Sequence, residues 1–169
     1  VLGCTPVERL AWLNTSGGGV PGAIPPLMGG AAATGRLYLG AWILFGILYL
    51  WQHTHFFAIA WMYRDDYRRG GFKMLSVTQP DGRSMFRQVI GFSLILLGVS
   101  LVPVFAGSSG PLYAVGAVLS GIWMLASGMT FARERSDTAA RRLLRTSLVY
   151  LPVIFVLIAC DALLTYSAV

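Results

Sequence analysis

Three runs of apolar residues, Val89–Phe105, Leu112–Ala132 and Ser147–Tyr166, constrain this chain more than anything else in it. Each reaches or nearly reaches the roughly 20 residues that a helix needs to cross bilayer hydrocarbon, and each contains at most one formal charge. Inside lipid a backbone must satisfy its own hydrogen bonds, which restricts such runs to helices or a closed barrel. Their length and continuity select helices. A water-soluble domain carries about 25% charged residues, whereas here 12% are charged and 56% are hydrophobic. The sequence therefore predicts an all-α, polytopic transmembrane helical bundle.

Two further segments extend the pattern. Residues 37–62 carry no formal charge but include His53 and His55, the only histidines of the chain. Residues 14–34 are apolar too, yet Gly17, Gly18, Gly19, Gly22, Gly29 and Gly30 and the prolines Pro21, Pro25 and Pro26 interrupt them. That span is expected to be bent or broken, and such backbone at membrane depth is tolerated where it lines a cavity or is buried in protein. The expected architecture is five spans, at about 14–34, 37–62, 88–106, 111–132 and 147–166, which together read as the back half of a larger bundle.

Basic residues orient these spans, because Lys and Arg are retained on the side that is not translocated. Arg9, the loop from Arg64 to Arg87 and the loop from Arg133 to Arg145 place twelve of the thirteen basic residues on one side, and Arg36 is alone on the other. The amino end and both long basic loops are thus expected inside and the carboxyl end outside. Topology accounts for the net charge of +6, so nucleic acid is not needed as a partner. Cys4 and Cys160 lie far apart without a C-x-x-C pairing, which excludes a disulfide scaffold and a zinc signature. There is no internal repeat. With no initiating Met and no leader, the chain reads as a fragment or a processed form.

The densest group of reactive side chains runs from Trp51 to Lys73. If this stretch stays helical, residues eleven apart differ by about 20° around the axis and about 16 Å along it. His55 and Asp66 would then share a face, with Trp51, Ile59, Met62 and Arg69 within about 40° of it. Asp65 and Asp66, set among Arg64, Arg68, Arg69 and Lys73, suit a polyphosphate held through Mg²⁺. That cation takes carboxylate and phosphate oxygens, and Arg or Lys neutralises the remaining phosphate charge. A loop that merely mixes retained basic residues with compensating acids has the same composition. The position of the aspartates, beneath a histidine on the same face, favours the phosphate site.

His53 and His55 are about 200° apart on a helix, so they cannot ligate one metal together. Each has the alternative role of a neutral histidine bonded to a neighbouring helix. Asp161 is the other ionisable group at membrane depth and is expected near the outer interface, where its carboxylate can snorkel outward. Trp61, Tyr63 and Tyr67 fit an interfacial belt. Tyr49 and Trp51 lie deeper, where a ring face stabilises a cation, packs on a flat ligand, or simply packs on a helix.

At these residues the sequence resembles the protohaem IX farnesyltransferases (haem O synthases), a branch of the intramembrane aromatic prenyltransferases. The resemblance begins at Thr5-Pro6 and Leu13-Asn14-Thr15 and continues through Val20-Pro-Gly22-Ala-Ile-Pro25-Pro26-Leu-Met-Gly29 and Ala32-Ala33-Thr34-Gly35. It then takes in Leu48-Tyr49-Leu50-Trp51-Gln52, His55-Phe56 and Ala58, and Arg64-Asp65-Asp66-Tyr67 with Arg69-Gly70-Gly71 and Met74-Leu75-Ser76-Val77-Thr78. The wording after Arg69 is similar to that of mitochondrial members, which implies the mitochondrial inner membrane, with the bacterial inner membrane as the alternative. Gly30 stands where the family usually has Trp, and His53-Thr54 where Phe-Pro or Pro-Pro is usual.

The resemblance covers the second half of a nine-span fold, so the five spans would be its fifth to ninth. The family's first acidic motif has no counterpart in these residues, and the fragment alone is expected to be inactive. The implied reaction joins the farnesyl group of farnesyl diphosphate to a vinyl group of haem B, giving haem O for haem A and cytochrome oxidase. On that reading Asp66 and Asp65 are catalytic and hold Mg²⁺, and Arg64, Arg68, Arg69 and Lys73 neighbour the diphosphate. His55 and Trp51 lie on the haem side, and Asn14 is a further substrate-binding residue. Lipid, haem B, farnesyl diphosphate, and haem A synthase or other oxidase-assembly proteins are the implied partners. The reading from another class is a non-enzymatic membrane module, a haem carrier using His55 or half of a transporter broken at Pro25-Pro26. A haem carrier normally needs a second axial histidine on a facing helix, and a transporter gives no reason for two aspartates among basic residues.

Overall fold

The computed structural model describes residues 19–71, 75–78 and 81–167, and every regular element among them is a helix. In chain order these are α1 (Pro25–Thr34), α2 (Leu39–Met62), α3 (Arg64–Arg69), α4 (Leu75–Thr78), α5 (Arg83–Phe105), α6 (Pro111–Glu134) and α7 (Asp137–Ser167). Four of them, α2, α5, α6 and α7, are long and apolar enough to cross a membrane. They close into a ring in which α2 packs on α5 and α7, α6 packs on the same two, and α1 lies against α2.

The weak first span is broken, as its prolines require. Residues 19–23 are helical, the ladder lapses at Ile24, and α1 follows with only 10 residues. Ile24 keeps helical dihedrals (φ −65°, ψ −32°). The interruption comes from Pro25 and Pro26, which have no N–H to donate, and the first bonds of α1 are those from Leu27 and Met28 to the Ile24 carbonyl. The rest of the expected 14–34 span lies outside the described residues, so among the described residues four spanning helices stand where five are expected.

Two helices extend beyond the expected spans. The fourth long helix starts at Asp137, ten residues before the apolar run begins at Ser147, and α5 starts at Arg83, ahead of the span expected from about 88. Hydropathy marks only the part of a helix that lies in hydrocarbon. Arg141, Arg142 and Arg145 continue the helix into water because arginine and leucine are good helix formers, and Ser136 Oγ caps it by accepting the Ala139 N–H at 3.1 Å. Much of the expected Arg133–Arg145 loop is therefore the first two turns of α7. The chain reaches that cap through Arg135, which takes a left-handed φ of 50° at the end of α6 and lays its guanidinium over the Phe86 ring.

Lipid offers no hydrophobic drive between helices, so close packing and polar pairs must hold them together. Gly128 brings α6 so near α5 that a Cβ there would lie 3.2 Å from Val89. Tyr113 donates to the Ser100 carbonyl at 2.7 Å, Ser100 Oγ and Tyr150 Oη are 2.6 Å apart, and Ser127 and Thr146 share a bond of 3.0 Å. These pairs join α5 to α6, α5 to α7 and α6 to α7. All three residues of the first pair of bonds are buried.

Asp161 corrects the expectation of an outward-snorkelling acid. It is 6% exposed, and its carboxylate accepts the N–H of Gly110, the residue that caps α6. The first N–H groups of a helix lack internal partners and carry partial positive charge, which gives a buried carboxylate a favourable place. Asp161→Ala is expected to destabilise the bundle by about 1–2 kcal/mol, read as a lower thermal unfolding temperature in detergent, while Asp161→Asn, which keeps an acceptor, loses less.

Candidate functional site

The reactive residues sit on α2, on α3, and on the face of α7 that meets them. Midway along α2, Trp51 and His55 are one turn apart with their rings stacked at 4.9 Å. Both reach the same residue of α7: Trp51 Nε1 donates to the Ser147 carbonyl at 2.7 Å, and His55 Nδ1 lies 2.8 Å from Ser147 Oγ. The Ser147 hydroxyl points its own hydrogen at the Leu144 carbonyl, 2.7 Å away. His55 Nδ1 is consequently the donor, and Nε2 carries the ring's lone pair. Half-buried, the ring presents that nitrogen away from its Ser147 anchor.

His53 faces a different way, as the two-residue spacing requires. It is fully buried between Tyr49 and Phe92, at ring distances of 4.5 Å to each. Its Nδ1 donates to the Tyr49 carbonyl at 2.6 Å, and Nε2 has no hydrogen-bond partner among the described residues. His53 is thus a core histidine on the α5 flank of α2. Beside it Gln52, also buried, donates to the Gly19 carbonyl and ties the broken segment to α2.

The helix does not run on to the aspartates. Tyr63, at φ −102° and ψ 20°, leaves the helical region, ends α2 at Met62 and lets α3 start at Arg64. The angular arithmetic that links His55 to Asp66 and Arg69 holds only along one continuous helix, and here the helix is interrupted at Tyr63, although the Tyr63 and Tyr67 N–H groups still bond the Ile59 and Tyr63 carbonyls at 3.0 Å. Asp65 and Asp66 occupy the first turn of α3 and Arg68 and Arg69 the last, which matches acid and base to the ends of its dipole. Gly71 closes the turn with a left-handed φ of 73°.

Among the named residues, charge is shared out unevenly. Arg64 Nη1 forms a 2.7 Å ion pair with Asp137 in the first turn of α7 and also donates to the Trp61 carbonyl at 2.8 Å. Its guanidinium lies over the Trp61 ring, 4.9 Å from the centroid. Arg64 thereby pins the joint to α7. Asp65 pairs with Arg68 at 3.3 Å, both exposed, an arrangement worth little in water. The exposed Asp66 carboxylate has no ion-pair partner among the described residues. Lys73 and Asn14 lie outside the described residues.

Comparison with known proteins settles the family. The model for the "UbiA prenyltransferase family" matches residues 5–158. The chain belongs to the UbiA prenyltransferase family. Its similarity to individual members is high: it is 50% identical over 157 residues to the protoheme IX farnesyltransferase of Solibacter usitatus, covering 93% of this chain and 54% of that protein. The corresponding protein of Salinibacter ruber is 46% identical over 157 residues, covering 93% and 56%. That of Thermus thermophilus is 36% identical over 155 residues, covering 92% and 25%. The chain spans about half the length of the first two of these UbiA-family relatives. No solved structure matches it.

Ser147 and Asp137, which anchor the site residues to α7, have no mark in the sequence. Each is 73 to 96 positions from the residue it meets, and no local spacing encodes that meeting.

Proposed function

We propose that this chain provides the carboxy-terminal part of a protohaem IX farnesyltransferase, which transfers the farnesyl group of farnesyl diphosphate to a vinyl group of haem B and yields haem O. The observation that supports this most is the 50% identity to a relative of that name, maintained over 93% of the chain. The haem-carrier and transporter readings have no comparable support.

In this proposal Asp66, assisted by Asp65, holds Mg²⁺ against the diphosphate. The donor chemistry fits: two adjacent carboxylates lie on an exposed turn among arginines. Mg²⁺ commonly needs only one or two carboxylates when phosphate oxygens and water complete its shell. When bound, the ion would offset the charge that develops on the departing diphosphate. Arg68, Arg69 and Lys73 neighbour that diphosphate, whereas Arg64 fixes the joint through Asp137. Trp51 and His55 form the haem side, with His55 Nε2 turned toward the porphyrin. Asn14 is a substrate contact from the preceding segment.

The basic ends of α3, α5 and α7 are placed on the cytoplasmic or matrix face by charge retention. The relatives named above are bacterial, which supports the bacterial inner membrane over the mitochondrial one. Haem A synthase and other oxidase-assembly proteins are the proposed neighbours.

Haem O formation tests the reading. A full-length form containing this sequence, supplied with haem B, farnesyl diphosphate and Mg²⁺ in proteoliposomes, should give a haem product heavier by a farnesyl group and the hydroxyl supplied by water, detected by mass spectrometry, with diphosphate and a proton released. The 169 residues alone should give none. Failure of the full-length form to make that product, with the folded protein verified, overturns the proposal.

A further inference from the structure

We infer that Arg141, on the last helix, is a diphosphate-binding residue of this site, an assignment that rests on the farnesyl-transfer reading above. Arg141 lines a cavity of about 320 Å³ together with Met62 and Tyr63. Those two residues are the end of α2 and the non-helical joint, so the cavity opens where the segment bearing Asp65 and Asp66 begins.

The placement of α7 brings Arg141 there. Asp137 is held against the joint by its 2.7 Å pair with Arg64, and Arg141 is four residues further along the same helix. Residues four apart lie on one face, about one turn from each other, so the contact that locks Arg64 also presents the Arg141 side chain to the joint. The two arginines differ in what remains of their charge. Arg64 is engaged by Asp137, by the Trp61 carbonyl and by the Trp61 ring. Arg141 is exposed and has no ion-pair partner among the described residues.

The guanidinium beside the joint and the Asp66 carboxylate in the helix that starts there, both exposed and without an ion-pair partner among the described residues, suit a ligand that needs both. A diphosphate does: Asp66 engages it through a divalent cation, and a planar guanidinium meets its remaining oxygens in a fork geometry that a lysine cannot reproduce. The site would thus draw one anion contact from α7, far from the Arg64–Lys73 cluster in sequence.

The test uses the full-length enzyme and separates the two substrates. Arg141→Gln is expected to raise the KM for farnesyl diphosphate and the inhibition constant of inorganic pyrophosphate by about tenfold or more, with the KM for haem B unchanged. Arg141→Lys should recover part of the loss, and Arg142→Gln, one position on and about 100° around the helix, should match wild type. Unchanged farnesyl diphosphate and pyrophosphate constants in Arg141→Gln overturn the inference. Equal rises in both substrates' KM values overturn it as well, since they indicate displaced helix packing. If wild type transfers no farnesyl group, the underlying reading fails first, and pyrophosphate binding by titration calorimetry then decides on Arg141 alone: loss in Arg141→Gln upholds the anion site and retention ends it.

Discussion

Asp66→Asn in the full-length protein is expected to lower farnesyl transfer by at least about a hundredfold, the scale on which removing one group that stabilises developing charge acts. The substitution preserves size and an oxygen acceptor but removes the charge that a hard cation requires. Because the carboxylate is exposed and has no ion-pair partner among the described residues, no structural bond is lost, and the unfolding temperature should hold. Asp65→Asn provides the internal comparison. Its carboxylate already pairs with Arg68, so it is the lesser ligand and its loss should cost less. Measuring the rate across a Mg²⁺ titration checks the role: a rate in Asp66→Asn equal to wild type removes Asp66 from the mechanism.

The second large effect is expected at His55. With Nδ1 donating to Ser147 Oγ, only Nε2 is left for a ligand, so His55→Ala should weaken haem B binding by about tenfold or more, roughly 1.4 kcal/mol or above. Farnesyl diphosphate binding should be largely kept, since Asp66 belongs to a separate helix beyond the Tyr63 joint. Ser147→Ala refines the test. It deletes the acceptor that orients the imidazole but spares the backbone carbonyl that receives the Trp51 N–H, so it should give a milder haem defect with little change in stability. Haem absorbance titrations at matched folded protein distinguish these effects from a packing role, in which His55→Ala would lower the unfolding temperature and weaken both ligands alike.

His55 and Asp66 also show how far the sequence could be read. Their residue types and their nearness in the chain marked the region, and the separation of His53 from His55 follows from helix geometry alone: one meets Phe92 on α5 and the other Ser147 on α7. The angular argument that joins His55 to Asp66 on one face assumes one uninterrupted helix, and the structure interrupts it at Tyr63. Nothing in Met62-Tyr63-Arg64 forbids helix. The break coincides with the tertiary contact that holds Arg64 on Asp137, beside its local bond to the Trp61 carbonyl, and tertiary contacts override weak local preference.

Asp161 and Arg64 make the same point about charge. Counting basic residues is enough to predict sides, because the bilayer responds to the sum over a loop and not to any side chain's partner. Which charges remain available for a ligand depends on the partner, and those partners lie 51 and 73 positions away. The sequence by itself determined that this chain is a bundle of membrane-crossing helices with one basic end and an acidic pair at it, since length, hydropathy and charge act locally and additively. Only the tertiary structure decided that Arg64 is spent on Asp137, that Asp161 turns inward to cap α6, and that Arg141 faces the joint, because each depends on how helices distant in the chain pack against one another.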